Sequence, residues 1–563
     1  MMRYGKMNSK RDCKLAMALW KRVLFSRSFP PVYTVNAAVE AVEILKKHQE
    51  YKAALKIARG AIPILGKTSP LSIQAFDQQR ILERYDGLAS DAAALTLECR
   101  GGEAASTAVS LLEQGRGILA DHQYHSRSDL SLLTEKYPTE ADRFKELINS
   151  TNRQKAERDL DKLIDEIRKL PGFKYFLRPQ ALSELYKVAE ARKQAVVIVN
   201  VSFRCDALII HAHQTKVIQL NTLSKADIAR KAQSWVIADA IGCNQILQWL
   251  WDSIASPILS ALEMDHPPVE GNPWPRICWI PTGALCRLPL HAAGYHKGSM
   301  DNTVLNRAIS SYSATGKALI YSHQNKVRAA EQVWDDPTRR GLLSALLVSM
   351  PTTSRLRRLP GAETEIAGIQ HFLNQIPSLT VTSLSMPSKE VVMESLSHSH
   401  IFHFAGHGVL DKRDISKSAL IMSDEHLTVA DLLSLKLHTR PPLLAYLSAC
   451  STGIDGSSSL FDQGMHLVAA CQVAGFQNVI GTFWKVWDQF CIKIALEVYK
   501  KLCEQPEMAL SEALHVAVRK GRNFELKDEP TITPRDGVPD MELPRLEIED
   551  PRHWAAYFIA GVD

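Results

Sequence analysis

Two short runs in the last third of the chain carry residue types suited to covalent catalysis. Tyr446-Leu447-Ser448-Ala449-Cys450-Ser451-Thr452-Gly453 is an apolar strand pattern that runs into small residues around a cysteine. His403-Phe404-Ala405-Gly406-His407-Gly408 ends a second apolar strand on a histidine held between glycines, 43 residues upstream. The thiolate is the attacking form of cysteine, so a nucleophilic Cys450 needs a neighbour that favours its charge, and the His407 imidazole supplies one. His407 then protonates the leaving amine. The main-chain N–H groups of Gly408 and Cys450 are the candidate donors to the oxyanion of a tetrahedral intermediate. The flanking glycines allow a sharp turn and predict an imidazole exposed at the strand tip. Each feature alone has an ordinary explanation, a buried structural thiol or a satisfied turn histidine. Two strand ends of matching local context favour a cysteine-peptidase site.

The elements that must hold these residues are legible as an alternation. Strand patterns fall at Ser344 to Met350, Leu379 to Leu384, His400 to Phe404, Leu443 to Ser448 and Asn478 to Phe483. Between them lie helical patterns at Glu363 to Asn374, Ser388 to Ser397 and Met465 to Ala474. This reads as an α/β unit with a mostly parallel sheet covered by helices, in which ligands gather outside the carboxyl ends of the strands. A first α/β layer precedes it, with strands at Ala195 to Val201, Ala207 to His211, Lys216 to Leu220 and Arg276 to Ile280 and a long helix near Asn244 to Leu262. The polar stretch Tyr321 to Arg340 reads as a linker between the layers. Residues up to about 190 lack strand runs and show helical spacing, as in Ala53, Ala54, Ile57 and Ala58, which fits a degenerate helical-repeat array without a clean period. The charged run Thr151 to Lys169 reads as one exposed helix. The Pro- and acid-rich tail Asp528 to Pro551 is expected to loop out and return through Trp554 to Ile559 as a last edge strand.

Composition narrows the function classes. The 563 residues are 45% apolar and 23% charged, and a net charge of +6 spread over 67 basic and 61 acidic residues gives no nucleic-acid signature. No apolar run approaches the length of a membrane span, and the start Met1 to Phe25 lacks the apolar core of a secretory signal. The ten cysteines are scattered singly, as expected of reduced thiols in a cytoplasmic protein. No metal or cofactor is expected. His398, His400, His403 and His407 alternate across a strand rather than converging, and no H-E-x-x-H occurs. The Gly66-Lys67-Thr68 run lacks the first glycine of a phosphate loop, since Ala61 stands there, and no G-x-S-x-G elbow is present. The tryptophans Trp249, Trp251, Trp274, Trp279, Trp484 and Trp487 read as core.

With these motifs, continuing through Gly475 to Trp487 and closing on Trp554, Ala555 and Phe558, the chain resembles the CHAT domain proteins, whose peptidase domains are related to caspases and separases. Asp77 to Ala94 and Leu111 to Gly117 resemble helical flanks of fungal members of a TPR-CHAT type. The resemblance implies a caspase-like fold in three parts: a helical, TPR-like region over 1–190, a degenerate pseudo-peptidase half over 191–335 and a catalytic half over 336–563. It implies a cysteine endopeptidase acting on protein substrates through a Cys-His dyad of Cys450 and His407. The helical region would bind a regulatory protein. Asp488 lies where separase-like relatives carry an acid in the pocket for the residue before the cut, which implies cleavage after Arg or Lys. The other explanation of Asp488 is that it caps the following helix. Asp424 and Asp462 are weaker pocket candidates, and Arg339-Arg340 and Arg357-Arg358 are candidate processing sites. The competing function is a non-catalytic interaction scaffold that keeps the peptidase fold, and thiol reactivity at Cys450 separates the two.

Overall fold

The computed structural model describes residues 29–70, 73, 75–118, 130–148, 150, 153–171, 173, 176, 182–211, 213–335, 343–353, 356–411, 414–435, 437, 441–449, 467–523 and 550–561. Up to residue 191 these are helical. The helices Pro31–Lys47, Tyr51–Ala61, Leu88–Arg100 and Ala105–Gly115 pack each on the next. Alanine dominates their contacts, with Ala38, Ala41, Ala54, Ala58, Ala92, Ala93 and Ala108 fully buried, so backbones approach closely. The charged run forms the helix Arg153–Ile167, which is amphipathic rather than exposed all round. Its Leu163 and Ile167 are buried against Phe144, Phe173 and Phe176.

The strands are β1 (Gln194–Asn200), β2 (Asp206–His211), β3 (Gln214–Gln219), β4 (Arg276–Pro281), β5 (Ile309–Tyr312), β6 (Leu343–Ser349), β7 (Leu379–Ser385), β8 (Ile401–Ala405), β9 (Gly408–Val409), β10 (Ala419–Ile421), β11 (His426–Thr428), β12 (Leu444–Ser448), β13 (Asn478–Thr482) and β14 (Tyr557–Gly561). Among the described residues, eleven of them form one sheet in the order β3-β2-β1-β4-β5-β14-β13-β12-β8-β6-β7, and β11-β10-β9 form a small second one. β1, β4, β5 and β14 run parallel to one another, as do β13, β12, β8, β6 and β7. The two sets meet at the antiparallel pair β13–β14. The sheet is therefore mostly parallel within two halves that run in opposite directions. The carboxyl ends of one half lie at the same edge as the amino ends of the other.

The side-chain alternation of β1 joins the helical region to the sheet. Val196 and Ile198 face the N-terminal helices and share their core, while Ala195, Val197 and Val199 face the opposite side. A polar clasp adds to this contact. Glu113, in the helix Ala105–Gly115, accepts the Gly316 and Lys317 amides at 3.0 Å each, satisfying the first turn of the helix Gly316–Asp335 from outside. The buried Arg116 donates to the carbonyls of Pro281 and Ala314, at the carboxyl ends of β4 and β5.

Three sequence expectations are corrected. Tyr321 to Arg340 is no linker through Asp335: the helix Gly316–Asp335 covers it, with Leu319, Ile320 and Tyr321 buried. Lys326 is exposed while Ser322 and Asn325 are buried, the spacing of an amphipathic helix. Trp554 to Ile559 leads not to an edge strand but to β14, which lies between β5 and β13 with every residue buried. The long helix starts at Ala240, where the Asp239 side chain caps it by accepting the Gly242 amide, and carries a π-helical turn at Trp251–Ala255. The tail Asp528 to Glu549, the start Met1 to Ser28 and the Arg339-Arg340 pair lie outside the described residues. Among those described, no helix is long and apolar enough to cross a membrane.

Three histidines are buried near the first half. Burial, with His296 nearby, pushes His291 down to about 3, and burial pushes His296 down to about 4. His515 is pushed down to about 3 by burial first and then by Arg519. These values lie below the ordinary histidine range, so the unfolded chain binds the extra protons. The stability is fully present above the unfolded value and is lost as pH falls towards the folded ones. At pH 5 each histidine costs about 2 kcal/mol. The melting temperature is expected to be flat above about pH 7 and to fall by on the order of 10 °C by pH 5, with a shallower slope in His515→Phe. Scanning calorimetry across this range checks it, and an unchanged slope in the variant refutes the assignment.

Candidate active site

Register is what brings the two motifs together. β8 and β12 are adjacent and parallel, with Tyr446 opposite His403 and Ser448 opposite Ala405. His407 lies two residues beyond Ala405, and Cys450 two beyond Ser448. Parallel strands are about 4.8 Å apart, so both chains leave the sheet side by side at its carboxyl edge. Cys450 itself, like residues 451–466 with Asp462, lies outside the described residues. The ends of both strands are fastened to their neighbours. The Gly406 amide donates to Ser448 O at 3.3 Å, Met350 N to Ala405 O at 2.8 Å, and the Thr482 hydroxyl to Ala449 O at 3.0 Å. A Cβ on Gly406 would meet Phe404 Cζ at 2.7 Å and Met350 Cβ at 2.8 Å, so the tight exit from β8 needs glycine there.

The His407 ring is not exposed, as its glycine neighbours had led us to expect. It is fully buried because the loop between β6 and the helix Pro360–Leu373 reaches it. The Arg357 carbonyl lies 2.8 Å from His407 Nε2. A carbonyl only accepts, so Nε2 carries the hydrogen, and in the neutral ring Nδ1 holds the lone pair. The main chain of Arg357 thus sets the tautomer of the histidine, a role no side-chain pattern announces.

Gly408 opens β9, opposite Leu420 of β10. Because the Ile421 amide donates to His407 O, Gly408 and Leu420 form the pair that exchanges no hydrogen bonds, and the Gly408 N–H points away from β10.

Asp488 is at the same edge of the sheet. It begins the helix Asp488–Glu504, is 7% exposed, and accepts the Gly361 amide at 2.8 Å through Oδ2. Gly361 belongs to the first turn of Pro360–Leu373, whose own N-cap Leu359 has no side chain able to bond it. Asp488 therefore does cap a helix, though a different one from its own. A Cβ at Gly361 would overlap the Asp488 carboxylate. Asp424 sits in the turn between β10 and β11 and accepts the Lys389 amide, which, as the largest cause, holds its carboxyl below the usual range.

A family model, the CHAT domain, matches residues 244–562. No curated protein matches the sequence. Among solved structures, the chain is similar to the separase of Saccharomyces cerevisiae in its complex with securin, at 11% identity and a TM-score of 0.47, covering 91% of this chain and 37% of that one. A second structure of that complex gives 10% identity and a TM-score of 0.41, covering 98% of this chain and 48% of that one. The complex of the pro- and mature domains of RgpB from Porphyromonas gingivalis gives 11% identity and a TM-score of 0.35, covering 60% of this chain and 71% of that one. The chain thus spans less than half the length of the separases it matches.

Gly406→Ala is expected to cost about 1–3 kcal/mol through overpacking and to slow alkylation of Cys450 by displacing the turn that carries His407. Thermal unfolding and peptide mass mapping after iodoacetamide read both effects. Wild-type stability and wild-type labelling together would refute the tight-exit argument.

Proposed function

Because the chain belongs to the CHAT domain family, a family of caspase-like peptidase fold, we propose that it is a cysteine endopeptidase that hydrolyses peptide bonds of protein substrates through Cys450 and His407. The matched register of β8 and β12 carries this reading. His407 Nδ1, left with its lone pair by the Arg357 bond, takes the Cys450 proton. The thiolate then attacks the substrate carbonyl carbon, and the Gly408 and Cys450 amides receive the oxyanion. The imidazolium gives its proton to the departing amine, leaving a thioester. Water, deprotonated by His407, attacks that thioester and releases the acid and the free thiol.

Asp488 gives the reading its specificity: cleavage after Arg or Lys. Its place at the carboxyl edge, four residues along from the Arg357 contact through Gly361, supports this role. Oδ2 holds the Gly361 amide, and the substrate cation is assigned to the same carboxylate, whose burial strengthens a charge-assisted bond. The helical region regulates the enzyme through a protein partner. Its shared core with β1 and the Glu113 and Arg116 clasp support a coupling to the sheet. The site of action is proposed to be the cytoplasm.

The test compares wild type, Cys450→Ala and Asp488→Asn on fluorogenic peptides that vary the residue before the cut. Asn retains an oxygen for Gly361 but removes the charge. The expectation is hydrolysis after Arg and Lys that vanishes in Cys450→Ala. In Asp488→Asn, preference for basic residues should fall by about 10- to 100-fold, as loss of a charged pair costing 1.5–3 kcal/mol implies, at an unchanged melting temperature. Unchanged preference would leave Asp488 as a helix cap alone. Equal background from wild type and Cys450→Ala, with Cys450 unreactive, would favour the scaffold.

A further inference from the structure

Beneath the strand that leads to His407 lies a buried polar group that the proposed chemistry does not use. His403, on β8, has Nε2 3.0 Å from Glu365 Oε1 and Nδ1 3.2 Å from the Tyr499 hydroxyl. The side chains of His403 and Glu365 are both 0% exposed. Tyr446, from β12, stacks on the imidazole with ring centroids 4.6 Å apart, and Tyr557 of β14 and Cys491 are titratable neighbours of the same group. A buried polar pair of this kind stabilises a fold no better than well-packed apolar side chains of similar volume. Its location points to a different use.

Glu365 belongs to the same stretch of chain as two contacts already described. Arg357 O lies on His407, the Gly361 amide on Asp488, and Glu365 on His403. Gly361 and Glu365 are four residues apart on the helix Pro360–Leu373 and so share a face. Asp488 and Tyr499 are eleven apart on the helix Asp488–Glu504, about three turns, and share a face too. His403 and His407 belong to β8 and its exit. The segment 357–365 is thus pinned at three points, each of them on an element that also carries a site residue.

We propose that Glu365 and His403 are positioning residues, whose bond sets the helix Pro360–Leu373 against β8 and thereby keeps the Arg357 carbonyl on His407 Nε2. Without that bond the helix is free to shift along the strand, the carbonyl leaves the imidazole, and the ring no longer keeps Nδ1 for the thiol. The proposal rests on the peptidase reading of Cys450 and His407. It adds a tether from the helix side that fixes the tautomer of the base.

The test measures iodoacetamide alkylation of Cys450 against pH in the full chain, read by mass spectrometry of the peptide that contains it. Wild type, Glu365→Leu and Glu365→Gln are compared, with cooperative melting as the check on folding. The expected result is a wild-type profile that rises well below the ordinary thiol value of about 8.5. In Glu365→Leu the profile moves towards that value, with reactivity at neutral pH lower by about 10²-fold, the scale of a 1 Å misplacement. Glu365→Gln, which keeps an acceptor for His403, restores most of it. A cooperatively folded Glu365→Leu with the wild-type profile overturns the proposal. If the single variant does not fold, the paired Glu365→Leu and His403→Leu, which leaves neither the buried carboxylate nor the buried imidazole without its partner, takes its place. A wild-type profile there overturns the proposal, and a displaced one upholds it. An ordinary thiol profile in wild type defeats the peptidase reading itself, and the proposal with it, a result distinct from a normal wild type with an unaffected variant.

Discussion

The register between β8 and β12 is the constraint on which the rest of the site depends. The two strands run in phase to the pair Ala405 and Ser448 and end at the same edge. A slip of one residue would invert every side chain on one strand. The neighbours resist such a slip. Phe402 and Phe404 are fully buried on one face of β8, and His403 on the other. β6 pairs β8 from the far side in a register of its own, with Ser349 opposite Ala405. The exits of β8 and β12 are therefore held by the hydrophobic alternation of three strands rather than by the loops beyond them.

The sequence made the alternating elements legible because apolar runs of strand length between helical patterns survive without knowledge of tertiary contacts. It also singled out His407, whose glycine neighbour Gly406 does mark a close approach at the exit of β8, while Cys450 lies outside the described residues. What stayed hidden was main chain or distant in sequence. The Arg357 carbonyl has no residue signature, since any amino acid carries one. The link from Asp488 to Gly361 spans 127 residues. The misread linker at Tyr321 shows the limit of polarity as a signal: a polar stretch looks like a loop until buried positions such as Tyr321, Ser322 and Asn325 are counted.

The opposed directions of the two halves separate what the sequence places in one continuous series. Glu113 and Arg116 grip the carboxyl ends of β4 and β5, whereas His407 leaves the carboxyl end of β8. Since β13 and β14 run antiparallel, these are opposite edges of one sheet. The N-terminal helices also reach the His407 side of the sheet directly, where the helix Ala75–Leu82 meets the turn Ile415–Lys417 between β9 and β10. The two halves are joined at the seam β13–β14, buried throughout.

That seam has a temporal consequence as well. β13 ends at Thr482 and β14 begins at Tyr557, so 74 residues intervene before the strand that joins the halves exists. At translation rates of about 5–20 residues per second, the ribosome needs roughly 4–15 s to supply them. For that interval both half-sheets present bare edges, with β5 lacking one neighbour and β13 the other. The nascent chain has every residue of the His407 and Cys450 motifs before it has a closed sheet to hold them, and those edges need shelter from other chains while it waits.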